Sequence, residues 1–415
     1  MKVEQLLPLQ EQAAITNSWL KERFSQVLGD LMARENIDMW LVTAREYNED
    51  PVIMSLLPAP SIHCGTARGR TLLVFTLKSD ATVERSIIAR SSLDGFYDPY
   101  WNEDLSDQGP TLLKLVEERD PQRIGINTSS MCQLADGLTH SQYQWLEEAL
   151  GPYAQRMVSA EKLAIGWLEK RSGSEQVAYE GIVRHAHRII ATAFSPDVVH
   201  TGITTANQVA WWIRQAIHDV GARAWFHPTV DIQRQGEEKV SGDAVILPGD
   251  VLHCDVGLEY LGLCTDTQQH AYVLRPGENQ VPSGLKEALK TGNRLQDIHA
   301  GAYATGRSGN EILSLARKQA EAEGIKGSIY THPIGYHGHG AGPIIGLWDK
   351  QDAVPGVGEL VVHDDTCFSM ELNIEQAIPE WDSQVVRIML EQDVLYHDEK
   401  ISFMDGRQTE WLIIG

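Results

Sequence analysis

Two aspartates, Asp255 and Asp266, are the first residues of this chain whose type and spacing indicate chemistry. They lie in segment 250–267, where β-branched and apolar residues flank a glycine-containing turn, so the segment predicts two strands joined as a hairpin. A hairpin that closes near Tyr260 and Leu261 places the aspartates opposite each other, and such cross-strand Cβ atoms lie about 4.5–5.5 Å apart. Carboxylates this close repel unless a proton or cation lies between them, and hard divalent cations favour oxygen ligands. Exposed turn aspartates are the simpler alternative.

Three histidines follow in a glycine-rich segment, residues 331–343. His332, His337 and His339 lie there among four glycines, and glycine lets the backbone approach a ligand closely because it has no Cβ atom. A neutral imidazole is the commonest nitrogen ligand for a metal ion. A lone histidine is usually structural or merely exposed, whereas three histidines within eight residues indicate a functional role.

Two glutamates then interrupt apolar runs, Glu371 within residues 366–374 and Glu391 within residues 385–395. A glutamate in a buried strand is costly unless it is paired or coordinates a cation. The alternatives are that Glu371 lies on a solvated face and that Glu391 pairs with Arg387. Each segment is weak on its own, whereas the ordered set Asp, Asp, His, Glu, Glu is more specific.

This ordered set resembles that of the pita-bread metallohydrolases, a family that includes methionine aminopeptidase, aminopeptidase P, prolidase and creatinase. The matching sequences are Asp-Val-Gly at Asp255, Thr-Asp-Thr at Asp266, Gly-His-Gly-Ala-Gly at His339, Phe-Ser-Met-Glu at Glu371 and Glu-Gln-Asp-Val at Glu391. The resemblance implies that these five side chains bind the metal. His337 also fits a His-Gly-x-Gly pattern, so the choice between His337 and His339 stays open, and the preceding Gly338 favours His339.

The resemblance also implies a reaction. Two divalent metal ions, manganese first and zinc, cobalt or iron as alternatives, would hold a bridging hydroxide that attacks the scissile carbonyl. Glu371 would carry the proton, while His337 and His332 would stabilise the oxyanion or protonate the leaving nitrogen. The expected enzyme is a dinuclear metal-dependent hydrolase, an Xaa-Pro peptidase of the aminopeptidase P or prolidase type.

Several positions depart from the family pattern. The stretch 226–241 has no histidine at the expected distance before the first aspartate, and the position of a second family histidine is Gly346. Many members have an arginine shortly after the second aspartate, where this chain has Gln268 and Gln269. These departures keep two alternatives open: a non-peptidase that acts on a small molecule as a creatinase-like hydrolase or a lyase, and a metal-free binding protein.

Length and patterning predict two domains in this chain of 415 residues. In the first part, strands alternate with helices, which is typical of an α/β layer domain. We expect an α/β (α+β) protein with an N-terminal creatinase-like α/β domain at residues 1–158. The resemblance implies a C-terminal pita-bread domain at residues 159–415, in which helices flank a curved antiparallel sheet and the catalytic residues lie.

The composition of the chain limits the kinds of partner that we expect it to bind. The formal net charge is −22, which disfavours nucleic acid and anionic membranes because both attract basic surfaces. No apolar run approaches the roughly 18 residues of a membrane-spanning helix. The five cysteines are scattered without a Cys-x-x-Cys pair, as in a reducing compartment, and the first residues lack a signal-peptide pattern. We therefore expect a cytoplasmic protein whose substrate is a small peptide or small molecule, and family habit implies a homodimer.

Overall fold

The computed structural model describes residues 5–59, 69–90, 92–101, 108–238 and 240–415. Contacts between residues divide the chain into two compact units, one formed by residues 8–172 and the other by residues 173–415 together with residues 5–7. The sequence-based boundary between residues 158 and 159 falls inside a strand of the smaller unit, and the assignment of domains stays a prediction.

The smaller unit combines one mixed sheet with helices. Its helices are α1 Leu9–Gln26, α2 Leu28–Arg34, α3 Pro51–Leu56, α4 Gly109–Arg119, α5 His140–Leu150 and α6 Glu161–Glu169. Its strands are β1 Met39–Arg45, β2 Arg70–Leu77, β3 Val83–Ile88, β4 Asp98–Pro99, β5 Ile124–Ile126 and β6 Met157–Ser159. They pair in the order β4-β3-β2-β1-β5-β6, with β1–β2 and β2–β3 antiparallel and the remaining pairs parallel. Helices α4 and α5 cover one face of this sheet through a core that includes Leu112, Val116 and Leu146.

The larger unit carries the long strands. Its helices are α7 Gly173–Ala193, α8 Ala206–Val220, α9 Ser283–Ala300 and α10 Gly309–Ala322. Its strands are β7 Arg223–Ala224, β8 Thr229–Gln233, β9 Val251–Val256, β10 Leu258–Tyr260, β11 Leu263–Cys264, β12 Thr267–Val273, β13 Gly327–Pro333, β14 Thr366–Ile378, β15 Gln384–His397, β16 Lys400–Phe403 and β17 Leu412–Ile414.

A curled, mainly antiparallel sheet organises the larger unit, with strands in the order β13-β14-β15-β12-β9-β8. Strand β16 pairs with β15, and β17 pairs in parallel with β12. Alternate residues of β14 and β15 are buried against α9 and α10 in one apolar core, which includes Leu372, Ile374 and Ile388. The other face of the same strands carries the polar residues, because successive side chains of a strand point to opposite faces.

The hairpin after β9 closes one position later along the chain than the sequence-based prediction. Leu261 and Gly262, with φ of 55° and 74°, form the turn, and Tyr260 pairs with Leu263. Positive φ at both central residues is the signature of the hairpin turn that matches strand twist. The predicted pairing of Asp255 with Asp266 was therefore wrong, because Asp255 pairs directly with Gln268.

Two further observations concern the predictions about membrane-spanning helices and cysteines. In the described residues, no helix is both long and apolar enough to cross a membrane. Cys132, Cys254, Cys264 and Cys367 are buried and form no disulfide with one another, and Cys64 lies outside the described residues.

A reciprocal cap stabilises the start of α8. The Thr205 hydroxyl accepts a hydrogen bond from the Gln208 N–H, and the Gln208 side chain accepts one from the Thr205 N–H. We expect Thr205→Ala to lower the free energy of unfolding by about 1 kcal/mol, since it removes the acceptor for an N–H that the helix cannot satisfy. Urea denaturation followed by circular dichroism measures this change. Thr205→Ser keeps the hydroxyl and is the control; an equal loss in both variants would contradict the capping role.

Candidate metal centre

One row of directly paired residues crosses the polar face of the curled sheet. Glu371 of β14 pairs with Glu391 of β15, Glu391 pairs with Gln268 of β12, and Gln268 pairs with Asp255 of β9. Tyr330 of β13 extends the row beyond Glu371. Two pairs of strands, β9 with β12 and β14 with β15, thus place three carboxylates and one amide in line, within the short distances of cross-strand partners.

A second group of polar side chains lies beside this row. Asp266 is two residues before Gln268, and His332 is two residues after Tyr330. The Nε2 atom of His332 lies 3.6 Å from Asp266 Oδ2 and 3.6 Å from Glu391 Oε1. Asp266, His332 and Glu391 are all buried and can offer three ligand atoms within 4.8 Å of one another.

The His332 ring is oriented as a metal ligand would be. Its Nδ1 lies 3.1 Å from the carbonyl oxygen of Pro333, which can only accept a hydrogen bond. Nδ1 therefore carries the proton, and the Nε2 lone pair faces the carboxylate oxygens. Burial lowers the pKa of His332, which keeps the ring neutral. A lone pair and carboxylates that face one another at 3.6 Å form no hydrogen bond, and a cation between them satisfies all three.

Two oxygens of these carboxylates are buried without a hydrogen bond. Asp255 Oδ1 and Asp266 Oδ1 have no hydrogen-bond partner among the described residues. Burial, followed by the charge of Glu391, raises the pKa of Asp255 to about 7 and that of Glu371 to about 8. Burial raises the pKa of Glu391 to about 7 and that of Asp266 well above its usual range. Such shifts are the electrostatic cost of apposed buried carboxylates, and a bound cation removes that cost.

Three polar residues that the sequence analysis did not assign to the site hold these ligands in place. Gln268 donates hydrogen bonds to Glu371 Oε1 and Glu391 Oε2, at 3.0 and 2.8 Å. The Ser369 hydroxyl donates to Glu391 Oε1 at 2.8 Å. The buried Asp393 carboxylate accepts the backbone N–H of Asp266, at 3.2 and 3.1 Å from its two oxygens. Gln268 and Asp393 each follow a candidate ligand by two positions, the spacing that shares a strand face, and this signal was available in the sequence.

His339 lies at the outer side of this cluster. Its ring is exposed, with its centroid 4.8 Å from that of His332 and 5.4 Å from that of Trp225. His337 is half-buried in the same loop. Among the described residues, the tight group of ligand atoms contains His332 and neither of these two histidines. The ligand role of His339 and the catalytic roles of His337 and His332 stay predictions.

Trp225 fixes the path of the histidine loop beside the cluster. A Cβ atom on Gly338 would lie 2.3 Å from the Trp225 ring, and one on Gly257 would lie 2.2 Å from its Nε1. The same Nε1 donates a hydrogen bond to the carbonyl oxygen of Thr265 at 2.8 Å. Glycine is thus required where the hairpin and the histidine loop meet this indole ring.

A second group of possible ligands differs from the first in its exposure. Asp364, Asp365 and His397 lie close together but are partly or largely exposed. His397 Nδ1 lies 2.7 Å from Asp365 Oδ1, and the backbone N–H of Asp398 donates to Asp364 Oδ1 at 2.7 Å. These contacts satisfy the group without a cation, so the buried cluster is the stronger candidate.

Comparison with known proteins identifies the family to which this chain belongs. The model of metallopeptidase family M24 matches residues 181–398, more than half of the chain. The chain belongs to this family, and the predicted resemblance to the pita-bread metallohydrolases is confirmed. No curated protein sequence matches the chain.

Solved structures share the fold over nearly the whole chain. An X-Pro aminopeptidase from Thermotoga maritima is 16% identical with a TM-score of 0.63, and the match covers 92% of this chain and 99% of the other. An Xaa-Pro dipeptidase from Bacillus anthracis is 17% identical with a TM-score of 0.60, covering 97% and 99%. A prolidase from Pyrococcus horikoshii is 15% identical with a TM-score of 0.56, covering 94% and 99%. These likenesses confirm the mixed α/β class and the pita-bread sheet.

The residues at the cluster fit the divalent metals that this family uses. The donor set consists of carboxylate oxygens and one imidazole nitrogen, which first-row divalent cations accept. The lone pair of His332 faces Asp266 Oδ2 and Glu391 Oε1 there, and a cation between these atoms would satisfy them.

The raised pKa values predict how pH changes the stability of metal-free protein. A carboxyl group whose pKa rises on folding, from about 4.3 to about 8 for Glu371, binds its proton more tightly in the folded state. Its contribution to stability is therefore lost as pH rises from about 4.3 to 8. We expect chelator-treated Glu371→Gln to gain thermal stability relative to wild type between pH 5.5 and 8, measured by calorimetry. The exposed Glu375→Gln, on the same strand, is the control, and parallel pH profiles for wild type and Glu371→Gln would contradict the prediction.

Proposed function

We propose that this protein is a divalent-metal-dependent hydrolase that cleaves the peptide bond before proline. The observation that carries the proposal is the buried cluster in which the His332 lone pair and the oxygens of Asp266 and Glu391 face one another. Membership of the M24 family supports a hydrolase. The names of the similar structures, X-Pro aminopeptidase and Xaa-Pro dipeptidase, support proline specificity.

The proposed ligands of the metal are Asp255, Asp266, His332, Glu371 and Glu391. Four carboxylates carry four negative charges when ionised, which supports two divalent cations, and manganese suits so many oxygen donors. When bound, the metal supplies Lewis acidity to the scissile carbonyl and lowers the pKa of a water molecule. In this proposal His332 takes the ligand role that the sequence pattern gave to His339, because His332 is the histidine whose Nε2 faces the carboxylates.

Glu371 and His339 are the proposed proton carriers. Glu371 is partly exposed, and its Oε1 is held by Gln268, so its Oε2 is the atom that takes and returns a proton. His339 lies at the exposed side of the cluster, where its ring can exchange a proton with solvent, and partial desolvation holds its pKa below the ordinary value. Its Nε2 or Nδ1 then protonates the leaving nitrogen, while the buried His332 stays with the carboxylates.

Removal of single carboxylates tests the assignment of the site. Glu371→Gln and Asp266→Asn should each lower kcat/KM at least about a hundredfold, since one removes the proton carrier and the other a buried ligand. Chelation should abolish turnover, and added manganese or cobalt should restore it. Glu375→Gln, four positions further along β14, should stay within about twofold of wild type. Activity above a tenth of wild type in either site variant would overturn the assignment.

A second candidate function is the hydrolysis or elimination of a small non-peptide substrate, and Gly346 favours it. Gly346, where the family pattern has a histidine, has φ of 74°, and a Cβ atom there would lie 2.2 Å from the carbonyl oxygen of Ile329. No side chain fits at this position without a shift of the backbone. The backbone of this chain thus excludes that family histidine from position 346.

A substrate panel separates the two functions. The metal-loaded protein should cleave Xaa-Pro dipeptides or longer Xaa-Pro peptides, and should leave matched peptides with alanine in place of proline uncut. Product analysis by mass spectrometry identifies the bond that is broken. Cleavage of a small amidine without any Xaa-Pro cleavage would establish the second function instead, and protein that binds metal but cleaves neither class would contradict both.

A further inference from the structure

We propose that Gln268 is the positioning residue of this metal centre, and that His253 fixes the orientation of the Gln268 amide. This inference rests on the proposed function, because it assigns the residue that holds two of the proposed ligands. The sequence analysis noted Gln268 only as a departure from the family pattern. The structure places it in the middle of the row of ligands, between Glu391 and Asp255.

The contacts of the Gln268 amide nitrogen explain the first part of the proposal. Nε2 carries two hydrogen atoms, and its two acceptors are Glu371 Oε1 at 3.0 Å and Glu391 Oε2 at 2.8 Å. The two glutamates belong to adjacent strands and pair directly with each other. One amide group therefore ties together the facing oxygens of two ligands that would otherwise repel each other.

The contact of the Gln268 amide oxygen explains why His253 fixes the orientation of the amide. Gln268 Oε1 lies 2.9 Å from His253 Nε2, which can donate a hydrogen bond to it. His253 is buried, on β9, and its Nδ1 lies 3.6 Å from Asp231 Oδ2 at the surface of the sheet. A rotated amide would set its oxygen against two carboxylate oxygens and its nitrogen against the imidazole N–H. The three partner atoms, His253 Nε2, Glu371 Oε1 and Glu391 Oε2, thus permit only one orientation of the amide.

A neutral donor suits this position better than a charged one. An arginine would also bind both glutamates, but its charge would compete with the cation for the same oxygens. The glutamine amide holds the oxygens with two hydrogen bonds and leaves the negative charge of the cluster unchanged. Gln268 therefore keeps the glutamates aligned without reducing their attraction for a divalent ion.

Metal affinity tests the proposal without any substrate. Gln268→Met keeps the length of the side chain but removes both donors. We expect the affinity for manganese, measured by isothermal titration calorimetry on full-length chelator-treated protein, to fall about 10- to 100-fold, the usual effect of losing a group that orients metal ligands. The melting temperature of the metal-free protein serves as the readout of folding.

The matched control is Gln269→Met, on the same strand. Gln269 is the neighbouring residue of the same type, it is equally buried, and it points to the opposite face of β12. Its substitution should leave manganese affinity within about twofold of wild type. An equal loss of affinity in both variants would indicate general damage to β12 and would overturn the proposal.

A double variant separates positioning from packing. Gln268→Met leaves the His253 Nε2 without its partner, whereas adding His253→Phe removes that buried polar atom and restores folding if the single variant is unstable. Because His253 acts through Gln268, the double variant should bind manganese no more weakly than Gln268→Met alone. If the double variant bound manganese more weakly than Gln268→Met, or if Gln268→Met bound it as tightly as wild type, the positioning role would be overturned. Metal binding by the wild-type protein would be unaffected by either result. Absence of manganese binding by wild type would instead overturn the proposed function itself.

Discussion

The repulsion between four carboxylates on one buried face is the constraint on which the rest of the larger unit depends. Glu371 and Glu391 pair directly, Asp255 lies beyond Gln268 in the same row, and Asp266 precedes the first residue of β12; like charges this close destabilise the sheet. Burial raises the pKa of each, so the metal-free sheet retains protons that the same groups would lose in water. Such an arrangement is stable only if a positive charge offsets the repulsion between the carboxylates. The unpartnered oxygens and the His332 lone pair give the position at which that charge belongs.

The register of the sheet holds the carboxylates close together despite their repulsion. Since β14 and β15 pair over their whole lengths, Glu371 and Glu391 cannot slip past each other without moving the apolar face of both strands out of the core. The core residues on one face therefore fix the ligands on the other. Gln268 and Ser369 then refine the directions of individual oxygens, which the backbone register alone does not determine.

The sequence predicted the mixed α/β class and the four carboxylates that the structure brings together, because carboxylates inside apolar strand patterns are costly and therefore informative. The predicted turn of the hairpin was one position too early in the chain, since the sequence pattern does not distinguish a turn at Tyr260 and Leu261 from one at Leu261 and Gly262. The motif around His339 did not indicate that His332 is the histidine facing Asp266, because that proximity depends on the pairing of β13 with β14. Gln268 and Asp393 were overlooked because they act through other residues and carry no motif of their own.

The proposed metal ligands and the groups proposed to select a substrate belong to different kinds of element here. Asp255, Glu371 and Glu391 lie on long strands of the sheet, whereas His339 and Gly346 lie on the loop that follows β13. Strand positions are tied to the core, so they change only at a cost to folding, while loop positions change freely. A chain can therefore keep the whole set of carboxylates while losing a histidine at the position of Gly346. In the proposed function, the cluster accordingly determines the metal chemistry, and we infer that the loop, through Gly346 and the exposed His339, determines which bond is presented to it.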